Sequence, residues 1–208
     1  MIGLVDYGMG NRRSVEKALE HLGAEVLVSS EPESLASARA LVVPGVGAFP
    51  SAMERLRARG LDAFLIERAG AGVPILGICL GMHLAFERSS ERGGAEGLGL
   101  VPGVVRELAA AGLKLPQIGW NQVRWERRVP FLAGVREAPV YYHVHSFVAV
   151  PEDPADVLGT AEYGERFASV VARGSFTGVQ FHPEKSSHDG LALLAGWLAA
   201  AAAGEVAA

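Results

Sequence analysis

A single cysteine, Cys79, stands in 208 residues; it leaves no partner for an internal disulfide and excludes cysteine-rich zinc or iron–sulfur sites. No apolar run reaches about 18 residues, so a transmembrane helix is not expected. The opening Met1-Ile2-Gly3-Leu4-Val5-Asp6 has no basic stretch and no apolar core of signal-peptide length. Nothing there marks export, and a cytoplasmic setting is the expectation. Positive charge is not in excess either: a net charge of −4 gives no electrostatic reason to expect nucleic acid. Asparagine and glutamine are scarce, two and three residues, and lysine numbers only three against 16 arginines; no function is read from this. Linkers of Pro/Ser character and internal repeats are missing too, so 1–208 reads as one domain. What is present is a chain half hydrophobic and one-fifth charged, enough for one sizeable core.

The first third alternates short apolar runs with helical spacing. Ile2 to Val5, Val26 to Val28, Ala40 to Val43 and Pro74 to Ile78 read as buried strands. Val15, Ala18, Leu19 and Leu22 mark a helix with Asn11 or Ser14 as its cap and Gly23 at its end. Further helices are expected over Ser51 to Ala69 and Leu80 to Glu87. Such alternation predicts an open, mostly parallel, flavodoxin-like α/β sheet with helices on both faces. From Gly97 on, β-rich runs separated by Gly and Pro predict added antiparallel strands: Gly99 to Leu108, Ile118 to Trp125, Val140 to Val150, Phe167 to Ala172 and Gly178 to Phe181. A last helix is expected to bury Leu191, Leu194 and Leu198.

The informative segment is Gly77-Ile78-Cys79-Leu80-Gly81, where a strand meets a helix. G-x-C-x-G is the thiol counterpart of the nucleophile elbow: a strained turn lifts the sulfur above the sheet, and flanking glycines relieve the crowding. The helix N-terminus behind it favours thiolate. A thiol nucleophile needs a base, and the base an orienting partner. Among six histidines, His182 ends a strand and is followed by Pro183 and Glu184; the fixed proline dihedral lets Glu184 turn back onto the imidazole. Acyl transfer also needs oxyanion donors. The Leu80 N–H and the Pro44-Gly45-Val46-Gly47 loop offer them. His143 and His145 face one side of a strand, but no third ligand is placed, so no metal is expected.

Pro44-Gly45-Val46-Gly47, Gly77-Ile78-Cys79-Leu80-Gly81-Met82 and Gln180-Phe181-His182-Pro183-Glu184 resemble the three signatures of class I glutamine amidotransferases. Gly119-Trp120-Asn121, Tyr141-Tyr142-His143-Val144-His145-Ser146-Phe147, His182-Pro183-Glu184-Lys185-Ser186 and Asp6-Tyr7-Gly8-Met9-Gly10-Asn11 are similar to the glutaminase subunits of imidazole glycerol phosphate synthases. The likeness runs from Met1 to about Leu198. It implies a glutamine amidotransferase domain in which Cys79 attacks the glutamine amide, His182 protonates the departing ammonia, and a glutamyl thioester is hydrolysed. It also implies a heterodimer with a (β/α)-barrel cyclase, which uses the ammonia to form imidazole glycerol phosphate and aminoimidazole carboxamide ribonucleotide in histidine biosynthesis. No cofactor is implied.

Carried over by position, Val46, Gly47 and Leu80 serve the oxyanion. Gly47, Leu80, His83, Glu91, Ser146 and Phe147 hold glutamine, Glu91 facing its α-amino group and the Ser146-Phe147 backbone its α-carboxylate. Trp120, Tyr142 and Lys185 fall at the partner interface. One departure is His83, where the family usually has Gln: it is shorter, and expected to be able to titrate. The Val46–Gly47 peptide is expected to turn its N–H inward only when the partner is occupied. Rival readings are a glutaminase subunit serving pyridoxal phosphate or anthranilate synthesis, a thiol hydrolase or chaperone, and a non-enzymatic activator.

Overall fold

The computed structural model describes residues 1–206. In chain order the first elements are β1 (Ile2–Val5), α1 (Arg12–His21), β2 (Val26–Ser29), α2 (Pro32–Leu35), β3 (Ala40–Val43), α3 (Phe49–Arg57), α4 (Leu61–Gly70), β4 (Ile75–Ile78) and α5 (Leu80–Leu84). Then come β5 (Phe86–Ser89), β6 (Ala95–Glu96), β7 (Val101–Glu107), β8 (Gln117–Gln122), β9 (Arg124–Trp125), β10 (Val140–His145) and β11 (Phe147–Pro151). The chain ends with β12 (Val157–Tyr163), β13 (Glu165–Arg173), β14 (Phe176–Val179) and α6 (Ser187–Ala203). Parallel pairing in the order β2-β1-β3-β4-β14 forms the core of a 12-stranded sheet. Antiparallel β13 and β11 continue it, followed by β7, β5 and β6. β8 and β10 form a separate antiparallel ribbon.

The core strands bury alternate residues on opposite faces, as a doubly covered sheet demands. Leu4, Ala40, Val42, Leu76 and Ile78 pack with Val15 and Leu19 of α1 and with Leu193, Leu194 and Trp197 of α6. Val5, Leu41, Val43 and Ile75 pack on the other face with Phe49, Met53 and Leu56 of α3 and with Phe64 and Leu65 of α4.

Several expected boundaries move, each for a physical reason. The single helix expected over Ser51 to Ala69 is two, broken at Gly60, whose φ of +66° interrupts the helix. The helix expected over Leu80 to Glu87 stops at Leu84. Its next carbonyls, Leu84, Ala85 and Phe86, accept from the N–H groups of residues 98–101, and Phe86 enters a strand beside β7. The run Val140 to Val150 divides at Ser146 into β10 and β11, which belong to different sheets. In α6 the buried stripe is Leu193, Leu194, Trp197 and Ala200; Leu194 holds its expected place, while Leu191 and Leu198 lie only half-buried at its margins. Asn11 stands at the N-cap of α1 but its side chain does not cap the backbone: it accepts from the Ser14 hydroxyl at 2.8 Å and turns elsewhere.

Three histidines are buried as neutral rings. Burial holds His83 down to about 4 against a small opposing effect of its Gln180 hydrogen bond. It likewise holds His143 down to about 4 and His145 to about 3. The ring nitrogens of His143 are taken up by the Tyr141 carbonyl at 3.1 Å and the Ser169 hydroxyl at 3.0 Å. A folded pKa below the unfolded value means that the unfolded chain binds more protons, so stability from these groups is present above about pH 6.5 and is lost as pH falls towards 3 to 4. Unfolding at pH 5.5 is therefore expected to take up about two to three protons. Calorimetry in buffers of different ionisation enthalpy measures this; uptake of less than about one proton contradicts it.

Candidate active site

The site is built at the carboxyl ends of adjacent parallel strands, where open α/β sheets bind ligands. β4 ends at Ile78, and Cys79 follows with φ +54° and ψ −108°, a conformation that costs about 1–3 kcal/mol in a non-glycine residue. The turn is held because the Cys79 N–H donates to the Val179 carbonyl of β14 at 2.7 Å. The glycines around it are required by space. A Cβ on Gly81 would lie 1.9 Å from the Val43 carbonyl oxygen, and one on Gly77 2.5 Å from that of Gly81. The start of α5 is thereby pressed against the ends of its neighbouring strands.

β14 delivers the imidazole. Two residues beyond Gln180, His182 precedes a single turn, Pro183–Lys185, with proline at its first position and the Lys185 N–H donating to the His182 carbonyl. That turn brings Glu184 back: His182 Nδ1–H donates to Glu184 Oε1 at 2.9 Å, which leaves Nε2 for the sulfur. Both side chains are almost wholly buried. Burial favours the neutral ring, but the hydrogen bond and charge of Cys79, with those of Glu184, outweigh it and push His182 up to about 10. The His182 ring is thereby held charged beside the sulfur.

A cavity of about 310 Å³ opens over the sulfur. Cys79, His182, Val46, Gly47, Leu80, His83, Glu91, Ser146, Phe147 and Lys185 all line it. Glu184 lies beneath, with no exposed side-chain surface. Leu80 is the first residue of α5, so its N–H has no acceptor within the helix. Gly47 has φ +117°, a value that favours glycine. The loop carrying it is anchored from below, where the Tyr7 hydroxyl donates to the Pro44 carbonyl at 2.7 Å. Burial, with the charge of Cys79 adding to it, raises the Tyr7 pKa, so this donor keeps its proton. Glu91 accepts from the Phe49 N–H at 2.8 Å through Oε2, which fixes its carboxylate at the rim. Trp120 and Tyr142 do not line the cavity. They pair edge to face across the ribbon, centroids 5.9 Å apart, with Trp120 56% exposed. A larger cavity, about 470 Å³, lies at the other ends of the strands near Ile2, Glu25 and Ala40, away from this chemistry.

His83 corrects one expectation. Its low pKa keeps it neutral through the physiological range, so it does not titrate there. Among the described residues no group of three His, Cys, Asp or Glu is placed to hold a metal ion. Two site residues escaped the sequence reading. Asn11 Nδ2 donates to Glu184 Oε1 at 3.3 Å, reaching across from the start of α1. Gln180 is fully buried with its amide nitrogen 4.0 Å from the Cys79 sulfur. A polar residue within the apolar run Gly178 to Phe181 was the available signal for Gln180; nothing local pointed Asn11 at Glu184.

Residues 3–198 match the family Glutamine amidotransferase class-I. The imidazole glycerol phosphate synthase subunit HisH of Moorella thermoacetica is 49% identical over 193 residues, covering 93% of this chain and 91% of that one. The HisH subunit of Symbiobacterium thermophilum is 48% identical, covering 94% and 92%. A crystal structure of a glutamine amidotransferase superposes with a TM-score of 0.77 at 21% identity, over 97% of this chain and 98% of that one, a likeness of fold. The chain thus belongs to the class I glutamine amidotransferases and, within them, to the HisH subunits of imidazole glycerol phosphate synthase.

Proposed function

We propose that Cys79, His182 and Glu184 carry out glutamine hydrolysis in this chain, and that the ammonia is passed to a cyclase partner in the cytoplasm. The observation that supports this most is the strained Cys79 turn at the floor of the cavity, its sulfur coupled to an imidazole that Glu184 orients. The thiolate attacks the side-chain amide carbon of glutamine. The N–H groups of Leu80 and Gly47 meet the oxygen that becomes negative, as preorganised donors do in acyl transfer. The imidazolium gives its proton to the departing ammonia; the neutral ring then takes a proton from the water that cleaves the thioester. The Glu91 carboxylate suits the α-ammonium of the substrate, and the Ser146-Phe147 backbone its α-carboxylate. The Val46–Gly47 peptide is the element whose rotation switches the oxyanion donor on when the partner is occupied.

The partner surface is proposed at the ribbon. Ile118 and Trp120, two apart on β8, are 61% and 56% exposed on one face. Behind them the ribbon is tied to the catalytic turn: the His182 N–H donates to the Tyr142 carbonyl at 2.9 Å, and the Ser186 hydroxyl links the Tyr142 N–H to the His182 carbonyl at 2.9 and 2.6 Å. Lys185 lines the cavity and follows Glu184 on the same turn. A partner bound here touches the segment that holds the imidazole. The rivals in pyridoxal phosphate or anthranilate synthesis lose support from the HisH relatives, and the intact Cys79–His182–Glu184 line speaks against a non-enzymatic activator.

Cys79→Ala is expected to abolish glutamine-dependent synthesis by the complex while added ammonium salts still support the cyclase; loss of both points to a structural role. Asn11→Ala frees Glu184 Oε1 from its second donor and is expected to cost about 1 kcal/mol of stability. In steady-state kinetics it should lower kcat roughly tenfold with KM little changed, the pattern for a group acting in the chemical step. Lys185→Ala should reduce the stimulation of glutamine hydrolysis by the acceptor-loaded partner more than it weakens glutamine binding. Equal losses would remove Lys185 from the interface.

A further inference from the structure

Beside the thiol runs a line of polar groups that the hydrolytic steps above leave unused. Gln180 lies fully buried just past the end of β14, its amide nitrogen 4.0 Å from the Cys79 sulfur and its amide oxygen 2.7 Å from Nε2 of His83. His83 is itself buried in α5. Two orientations of this line satisfy simple hydrogen-bond rules. In one, the Gln180 NH₂ faces the sulfur and its oxygen faces His83. In the other the amide is turned round.

The charge on the sulfur decides between them. A thiolate beside an imidazolium is stabilised by an amide N–H and repelled by an amide oxygen. With the oxygen turned towards His83, Nε2 must carry a proton, because an amide oxygen only accepts. In the neutral ring Nδ1 then has none. Burial enforces that state, holding His83 at about 4.

We propose that His83 and Gln180 are a positioning pair, in which the His83 Nε2–H locks the Gln180 amide so that its NH₂ group donates to the Cys79 thiolate. This rests on Cys79 being the nucleophile. It gives a task to the histidine that replaces the glutamine usual after Cys-Leu-Gly-Met. Gln180 supplies a side-chain donor to the sulfur besides His182, and His83 acts on the sulfur through Gln180. The titratable and charged groups grouped about the sulfur are His182, Tyr7, His83, His145, Lys185 and Glu91.

Because Cys79 is the only cysteine, alkylation by iodoacetamide reports on one sulfur. The rate is followed against pH on the full chain for the parent, Gln180→Glu, His83→Leu and His83→Gln, with near-ultraviolet circular dichroism to confirm folding. Gln180→Glu places a carboxylate oxygen where the donor was, and His83→Leu frees the amide to turn. Each is expected to raise the thiolate midpoint by about one pH unit, a roughly tenfold slower reaction below it. His83→Gln can still donate to the Gln180 oxygen and should keep the parent midpoint. An unchanged midpoint in His83→Leu, or the same shift in His83→Gln as in His83→Leu, overturns the pair; should Gln180→Glu fail to fold, these two variants decide alone. Glutamine hydrolysis by the complex after alkylation separates the two readings. If the alkylated chain still hydrolyses glutamine, the nucleophile assignment fails. If hydrolysis stops but no midpoint moves, only the positioning pair fails.

Discussion

The parallel pairing of β4 with β14 is the constraint from which the site follows. Ile78 stands opposite Val179 in register, so the residues that leave the two strands emerge side by side. Cys79 comes from one and His182 from the other, and the Cys79 N–H to Val179 carbonyl bond carries the pairing one residue past the strand. A slip of one residue in β4 would put a side chain where Gly77 stands, 2.5 Å from the Gly81 carbonyl oxygen, and there is no room for it. The position of a sulfur against an imidazole is therefore fixed by hydrocarbon packing around Leu76, Ile78 and Val179, not by any attraction between the two groups. The strain at Cys79 is borne by the same scaffold.

That constraint also explains which parts of the molecule could be read from the chain alone. β1, β3 and β4 are short apolar runs buried on both faces, and such strands advertise themselves by composition. The elbow was legible because its glycines are demanded by backbone contact, and Glu184 because Pro183 directs a turn within three residues. What was missed depends on distant partners. The length of α5 is set by residues 98–101 claiming the carbonyls of Leu84, Ala85 and Phe86, a contact that no local propensity encodes. β12, between Val157 and Tyr163, escaped because its identity comes from pairing with β13 through a bulged register. Asn11 reads locally as a helix cap; only the fold sets it 173 residues along the chain from its true partner, Glu184.

The second half of the chain makes the His182 turn part of a larger mechanical unit. The ribbon of β8 and β10 stands outside the main sheet, so its position depends on what holds it from behind. Stacking of Tyr141 on Phe181, centroids 3.8 Å apart and nearly coplanar in orientation, fastens it to the segment next to His182. The hydrogen bonds between Tyr142, His182 and Ser186 do the same through the backbone. A force on the exposed face at Trp120 has a short covalent and hydrogen-bonded route to the imidazole. Coupling between an outside partner and the site then requires no rearrangement of the parallel core.

The histidines around the cavity show how one fold sorts identical side chains into different states. His83, His143 and His145 are held at about 4, 4 and 3, whereas His182 is pushed up to about 10. All four are buried, so burial alone does not separate them; His182 differs in having two anionic neighbours, Cys79 and Glu184, to offset it. A second imidazolium at His145 would be repelled by the charge on His182, which adds to the effect of burial there. Burial keeps these three rings neutral beside the one charged imidazole, and its cost falls on stability in acid, where all three take up protons as the chain unfolds.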